Sequence, residues 1–275
     1  MANQLLQTLT PLLSSIILLL AVSNTALSQT MSFAYDFTVD RPIDLIYQGN
    51  AHFPTDSTFL RLTDALPCHV GRVLYSKPVQ FGQSGGQVDF ESTVNFIITP
   101  GAADNEPAYG LAFFIAPVGS TIPLGSCGAN LGIFGPNGNS PSVFAMGINA
   151  HVNDAWDPNY PHIGIHIESR IPRNLTKFNS NILGRQVTAW ITYVGATRMI
   201  SVRVTAGSQT FDVSYEYDLS DLLPQQVQVG LSAATGQHVA VHDIVSWNFR
   251  ATVEQTNAAA RSRKELAGNI IRQFV

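Results

Sequence analysis

Between Ser32 and Val253 the chain alternates apolar and polar side chains in short runs, separated by clusters of glycine and proline. In the run from Val88 to Ile98, Phe90, Val94, Phe96 and Ile98 fall on one side and Glu91, Thr93 and Asn95 on the other. A repeat of two predicts a strand with one buried face. Val187 to Val194 and Met199 to Val204 alternate in the same way around Gly195-Ala196-Thr197-Arg198, which predicts a hairpin. Leu111 to Ala116 is apolar throughout and stops at Pro117, the pattern of a strand buried on both faces. Gly82 to Gly86 and Gly135-Pro136-Asn137-Gly138 read as turns. No helical period of useful length, internal repeat or linker interrupts this region. The expectation is a single all-β domain over residues 29–253, a sandwich or barrel.

The two ends differ from this body. Leu12 to Val22 is apolar except for Ser14 and Ser15, and Ala26-Leu27-Ser28 supplies the small residues of a processing site. Residues 1–28 therefore read as a secretory signal peptide, and the apolar run is shorter than the ~20 residues that span a bilayer. No later segment is long enough to span one, so no membrane partner is expected. From Glu254 onward the chain becomes locally basic, with Arg261, Arg263, Lys264 and Arg272. Leu266, Ile270 and Phe274 recur there as on an amphipathic helix, weakened by Gly268. Residues 254–275 are read as a C-terminal tail or propeptide with a sorting role, the alternative being a frayed appendage.

Charge narrows the function. The 275 residues carry 15 Lys and Arg against 19 Asp and Glu, a net charge of -4, with no basic run. That argues against nucleic acid as a partner. Secretion makes Asn174-Leu175-Thr176 a glycosylation sequon at Asn174. It also permits a disulfide between Cys68 and Cys127, although two unpaired thiols remain the other reading.

Five ordered segments resemble the legume lectin family. They are Ser32 to Phe37, Gly71 to Val79, Tyr109 to Pro117, Trp156 to Ile165 and His242 to Phe249. The resemblance implies a concanavalin-like jelly-roll sandwich of two large antiparallel sheets. It also implies a secreted or vacuolar plant protein, assembled as a homodimer or homotetramer and binding glycans or glycoproteins. Kinship further points to defence, storage or root symbiosis.

In the family, calcium and manganese sit beneath the sugar pocket, held by carboxylates, an Asn and a His. Hard dications need oxygen ligands whose charge offsets their own, and the manganese-type ion also takes imidazole. The positions that match are Gly147, Asn149, Asn153, Asp157 and His162. Gly147 stands where the family has Glu, and Asn149 where it has the bridging Asp. The expectation is that these metal positions are vestigial and that no cofactor is held. Asp157 and His162 then serve loop packing. A rival arrangement, with His151, His162, His166 and Asp157 around a transition metal, stays open.

The sugar positions implied by the resemblance are altered too. Tyr109 replaces the family's hydrogen-bonding Asp, and Ala129 follows Gly128 in the glycine-rich loop. His151 takes the aromatic platform, Asn153 is kept, and Gln237 and His238 lie in a short last loop. A phenol cannot accept two hydroxyl protons as a carboxylate does, and each lost charge-assisted bond costs about 1.5–3 kcal/mol. The reading is a lectin-related protein whose standard site is largely lost, with a working mannose/glucose-type lectin as the alternative. An enzyme is not expected, because a glycosidase needs two acids flanking its substrate and no such closely spaced pair stands on a pocket strand.

Overall fold

The computed structural model describes residues 27–55, 57–81, 87–102, 109–153, 155–178 and 182–255. The expected leader up to residue 26, the turn at 82–86 and the tail beyond 255 lie outside them. The strands are β1 (Leu27–Asp36), β2 (Leu45–Gly49), β3 (Leu60–Thr63), β4 (Val70–Tyr75) and β5 (Val79–Gln80). They continue as β6 (Gln87–Pro100), β7 (Gly110–Pro117), β8 (Asn139–Asn149), β9 (His162–Ser169) and β10 (Asn174–Lys177). The last are β11 (Gln186–Val194), β12 (Met199–Ala206), β13 (Gln209–Glu216), β14 (Gln226–Ala234) and β15 (Ala240–Gln255). A short helix, α1 (Leu219–Leu222), starts where the Asp218 carboxylate accepts from the Ser220 amide at 3.0 Å.

The strands build two antiparallel sheets. One runs β1-β15-β6-β11-β12-β13, with β3 also on β15. The other runs β10-β9-β8-β7-β14-β4-β2, with β5 also on β14. The two-residue repeat of β6 is realised: Val88, Phe90, Val94, Phe96 and Ile98 are buried. Ser92 shares that face without breaking it. Its hydroxyl donates to the Asn248 carbonyl at 2.9 Å and accepts from Trp247 Nε1 at 3.1 Å. Between the sheets Phe90 packs against Phe113 and Phe249 at centroid distances of 6.1 and 6.0 Å. Each such buried side chain contributes roughly 1.5–3 kcal/mol. The predicted hairpin is β11–β12, with Val194 paired to Met199.

β7 is buried on both faces for a reason the sequence did not contain. Its outer face, Ala112, Phe114 and Ala116, is roofed by Leu131, Ile133 and Phe134 from the loop that follows it. That loop is pinned by Arg72, which lies 4.4 Å over the Phe114 ring. Arg72 donates to the Thr121 carbonyl at 2.7 Å and the Ser120 hydroxyl at 2.9 Å. A second pin is the disulfide between Cys68 and Cys127, whose Cα atoms are 5.2 Å apart.

Candidate functional site

Of the positions that the resemblance marks for sugar, Tyr109, Gly128, His151 and His238 converge at one end of the second sheet. Tyr109 precedes β7; its amide donates to the Ala234 carbonyl at 3.0 Å, and its own carbonyl accepts from the Ala150 amide at 2.9 Å. These bonds hold the Tyr109 ring between two glycines. A Cβ on Gly128 would sit 3.6 Å from Tyr109 Cε1; one on Gly236 would overlap Cε2 and stand 2.8 Å from Cζ. The His151 ring lies 4.5 Å from that of Tyr109, and the His238 ring 4.8 Å from His151. Three rings therefore cluster side by side, tilted by 57° and 32° to one another. Ala129 is half-buried in the short 3-10 turn Gly128–Asn130, and Gln237 is exposed at the rim.

The disulfide fixes both glycine walls. The amide of Cys68 donates to the Gly236 carbonyl at 3.1 Å, and the amide of Gly128, next to Cys127, donates to the Thr235 carbonyl at 2.8 Å. Gly128 has φ +65°, a left-handed conformation that suits glycine. Sequence reasoning missed Gly236 as a wall. The glycine was visible, but its approach to Tyr109 is a tertiary contact.

Beside this mouth the metal-site positions form a second cluster. Gly147 and Gly164 face each other across β8 and β9, with Asn149 paired to His162. The Asn149 amide nitrogen lies 3.1 Å from His162 Nε2 and 3.4 Å from His166 Nε2. The Nδ1 atoms of these imidazoles face the carbonyls of Tyr160, at 3.4 Å, and Ser169, at 3.2 Å. A carbonyl only accepts, so each Nδ1 carries the proton and each Nε2 lone pair accepts from the Asn149 amide. Burial pushes both imidazoles down, His166 to about 4. For His162 the neighbouring Asp157 and the Tyr160 carbonyl oppose that fall.

Asp157 is committed elsewhere. One carboxylate oxygen accepts from the Asn153 amide at 3.0 Å and from Asn153 Nδ2 at 2.7 Å, closing the 153–157 turn. The other lies 3.9 Å from His162 Nε2. At Gly147 a side chain would meet His166 at once, since its Cβ would stand 2.9 Å from His166 Nε2. The His162–His166 pair shares a face as the two-residue spacing predicts. His151 does not join it but packs, tilted, between Tyr109 and His238. Among the described residues no group of three or more His, Cys, Asp or Glu side chains is arranged to hold a metal ion.

The legume lectin domain pattern matches residues 30–265. The chain belongs to the legume lectin family. It is 34% identical over 265 residues to Agglutinin-2 of Cladrastis kentukea, covering 90% of each chain. It is 33% identical over 246 residues to a mannose/glucose-specific lectin of Centrolobium tomentosum, covering 83% of this chain and 98% of that one. Among solved structures it superposes on peanut lectin with a TM-score of 0.76 at 28% identity, covering 83% of this chain and 100% of that one. On the basic winged bean lectin solved with Tn-antigen the TM-score is 0.74 at 33% identity, covering 82% and 99%. This legume lectin fold thus carries, at the positions that the resemblance marks for sugar and metals, a cluster of three tilted rings and a pair of imidazoles bridged by an amide.

Proposed function

We propose that this legume lectin is a secreted carbohydrate-binding protein whose metal-dependent site has been replaced by a metal-free, ring-filled pocket, so that glycan binding is weak, altered or absent. The observation that carries the reading is the Tyr109 ring between Gly128 and Gly236. An aromatic ring stands where a sugar-binding carboxylate is implied, and a phenol offers no carboxylate charge to sugar hydroxyls. Calcium and manganese do not fit the donors present. Asn149 turns an amide NH2, not an anionic oxygen, towards the imidazoles, and Asp157 is taken up by its own loop. Binding without turnover is part of the proposal: a glycosidase needs two acids flanking its substrate, and among the described residues Asp157 is taken up by its own turn.

A second reading, a working mannose/glucose-type lectin, is favoured by the exposed Gln237 at the rim and by the relative named for that specificity. The proposal also includes the leader, a glycan at Asn174, removal or vacuolar sorting through the tail, and assembly of two or four copies. Cleavage near Ser28 leaves the pairing of β1 intact from Gln29 onward.

A glycan array run with and without a chelator, paired with elemental analysis, separates the readings. The expected result is negligible or chelator-insensitive signal and no stoichiometric metal. Mannose binding abolished by the chelator, with about one calcium and one manganese per chain, would overturn the proposal in favour of the second reading.

A further inference from the structure

Away from the pocket, the outer face of β11, β12 and β13 forms a groove of about 1030 Å³. The strand register places Trp190, Arg203 and Asp212 side by side across its centre. A second row, Thr192, Ser201 and Ser214, lies alongside, and Thr205 and Thr210 line the opposite side. Trp190 is 39% exposed, which leaves part of the indole open to a ligand. Arg203 grips Asp212 in a two-point contact at 2.7 and 3.2 Å. A flat apolar ring flanked by a planar charge pair and rows of hydroxyls has the chemistry to recognise a saccharide. The ring takes the C–H face of a pyranose, and the polar groups take its hydroxyls.

The wall of this groove is β10, which carries the sequon Asn174-Leu175-Thr176. The Asn174 side chain is held in two directions. Its Nδ2 donates to the Ser214 carbonyl on β13 at 2.7 Å, and its Oδ1 accepts from the Leu175 amide at 2.9 Å. The nitrogen that would carry a glycan is therefore fixed against the groove and not displayed on a loop tip. N-glycosylation replaces one of its two hydrogens, leaving the other for Ser214. We infer that the outer face of β11–β13 is a saccharide-docking surface whose occupant is the protein's own Asn174-linked glycan. The inference rests on the proposed glycosylation of Asn174. Tethering raises the local concentration of the sugar, so modest contacts suffice to dock it.

The test uses the full chain from a eukaryotic secretory host, as wild type and as Thr176→Ala, which removes the sequon but keeps Asn174. Each is also made with Trp190→Phe to assign the Trp190 fluorescence. Covering one face of an indole removes roughly half of its exposed surface, so acrylamide quenching of Trp190 should fall about twofold in the glycosylated protein. Endoglycosidase release from the native protein should be slow, and Trp190→Ala should accelerate it towards the rate in denatured protein. An intact mass without a glycan would sink both the glycosylation reading and this one. A glycan that is present but leaves quenching and release rate unchanged would overturn the docking alone.

Discussion

Tyr109 and Gly236 are fitted to each other: the tyrosine ring lies so close to the glycine that any Cβ at residue 236 would overlap it. The pocket's shape therefore depends on a hydrogen at one position and a ring at another. Gly236→Ala should destabilise the protein by about 1–3 kcal/mol through overpacking. Adding Tyr109→Ala should recover most of that loss, giving a coupling of about 0.5–3 kcal/mol in a double-mutant cycle. Urea unfolding of the four proteins measures it; strictly additive losses would show that the ring and the glycine do not constrain each other.

Repair of the family's carboxylates meets an obstacle at His166. Gly147→Glu should cost about 1–3 kcal/mol from crowding alone, because the new side chain enters the space of the His166 imidazole. Gly147→Glu with His166→Ala should be more stable than Gly147→Glu by itself. Tyr109→Asp alone should not create sugar binding, and combining it with Asn149→Asp and the relieved Gly147→Glu should do better than any single change. Titration with mannose in calcium and manganese checks this, and equal gains from each single substitution would argue against a coupled site.

Acid should unfold the protein from mildly acidic pH. Burial holds His166 at about 4 and His242 at about 3, below the usual 6.5. Thr63 donates its hydroxyl to the Ala240 carbonyl at 3.0 Å, so His242 Nδ1 donates to Thr63 at 2.6 Å and Nε2 stays a bare, buried acceptor. Below pH 6.5 the unfolded chain binds protons at these sites and the folded chain does not. Stability is therefore full above about 6.5 and lost as pH falls towards 3, at about 1.4 kcal/mol per pH unit per group. His242→Phe should flatten the profile of urea midpoints between pH 6.5 and 4; an unchanged slope would exclude this histidine as a source.

Removing the disulfide should cost about 2–4 kcal/mol, because it closes a loop of 59 residues in sequence. The cost should concentrate at the pocket. In Cys68→Ser with Cys127→Ser, amide exchange should rise first at positions 128 and 68, whose hydrogen bonds to residues 235 and 236 the bridge supports. Uniform acceleration across the sheets would contradict that localisation.

The sandwich was legible because burial leaves a period in the sequence. Phe90, Val94, Phe96 and Ile98 announce a buried face, and the hairpin at Val194 and Met199 follows from alternation on both sides of a turn. The candidate site positions, such as Gly147 and Asn149, were legible through the resemblance. Their neighbours were not, because His166 over Gly147 and Tyr109 against Gly236 are tertiary contacts that no local pattern shows. The roof on β7 was hidden for the same reason: an apolar run says that both faces are covered but not by what.

The edges of the first sheet are unequal. β13 has β10 beside it, joined through Asn174 and Ser214, whereas β1, among the described residues, has β15 as its one strand neighbour. A sheet that can be extended on one side only has a fixed arithmetic of growth. A second copy joined there by a two-fold axis uses up both open edges at once, and the ladder ends. For the first sheet, the strand that carries the sequon is thus also a stop: pairing through β1 would join two copies of that sheet and go no further.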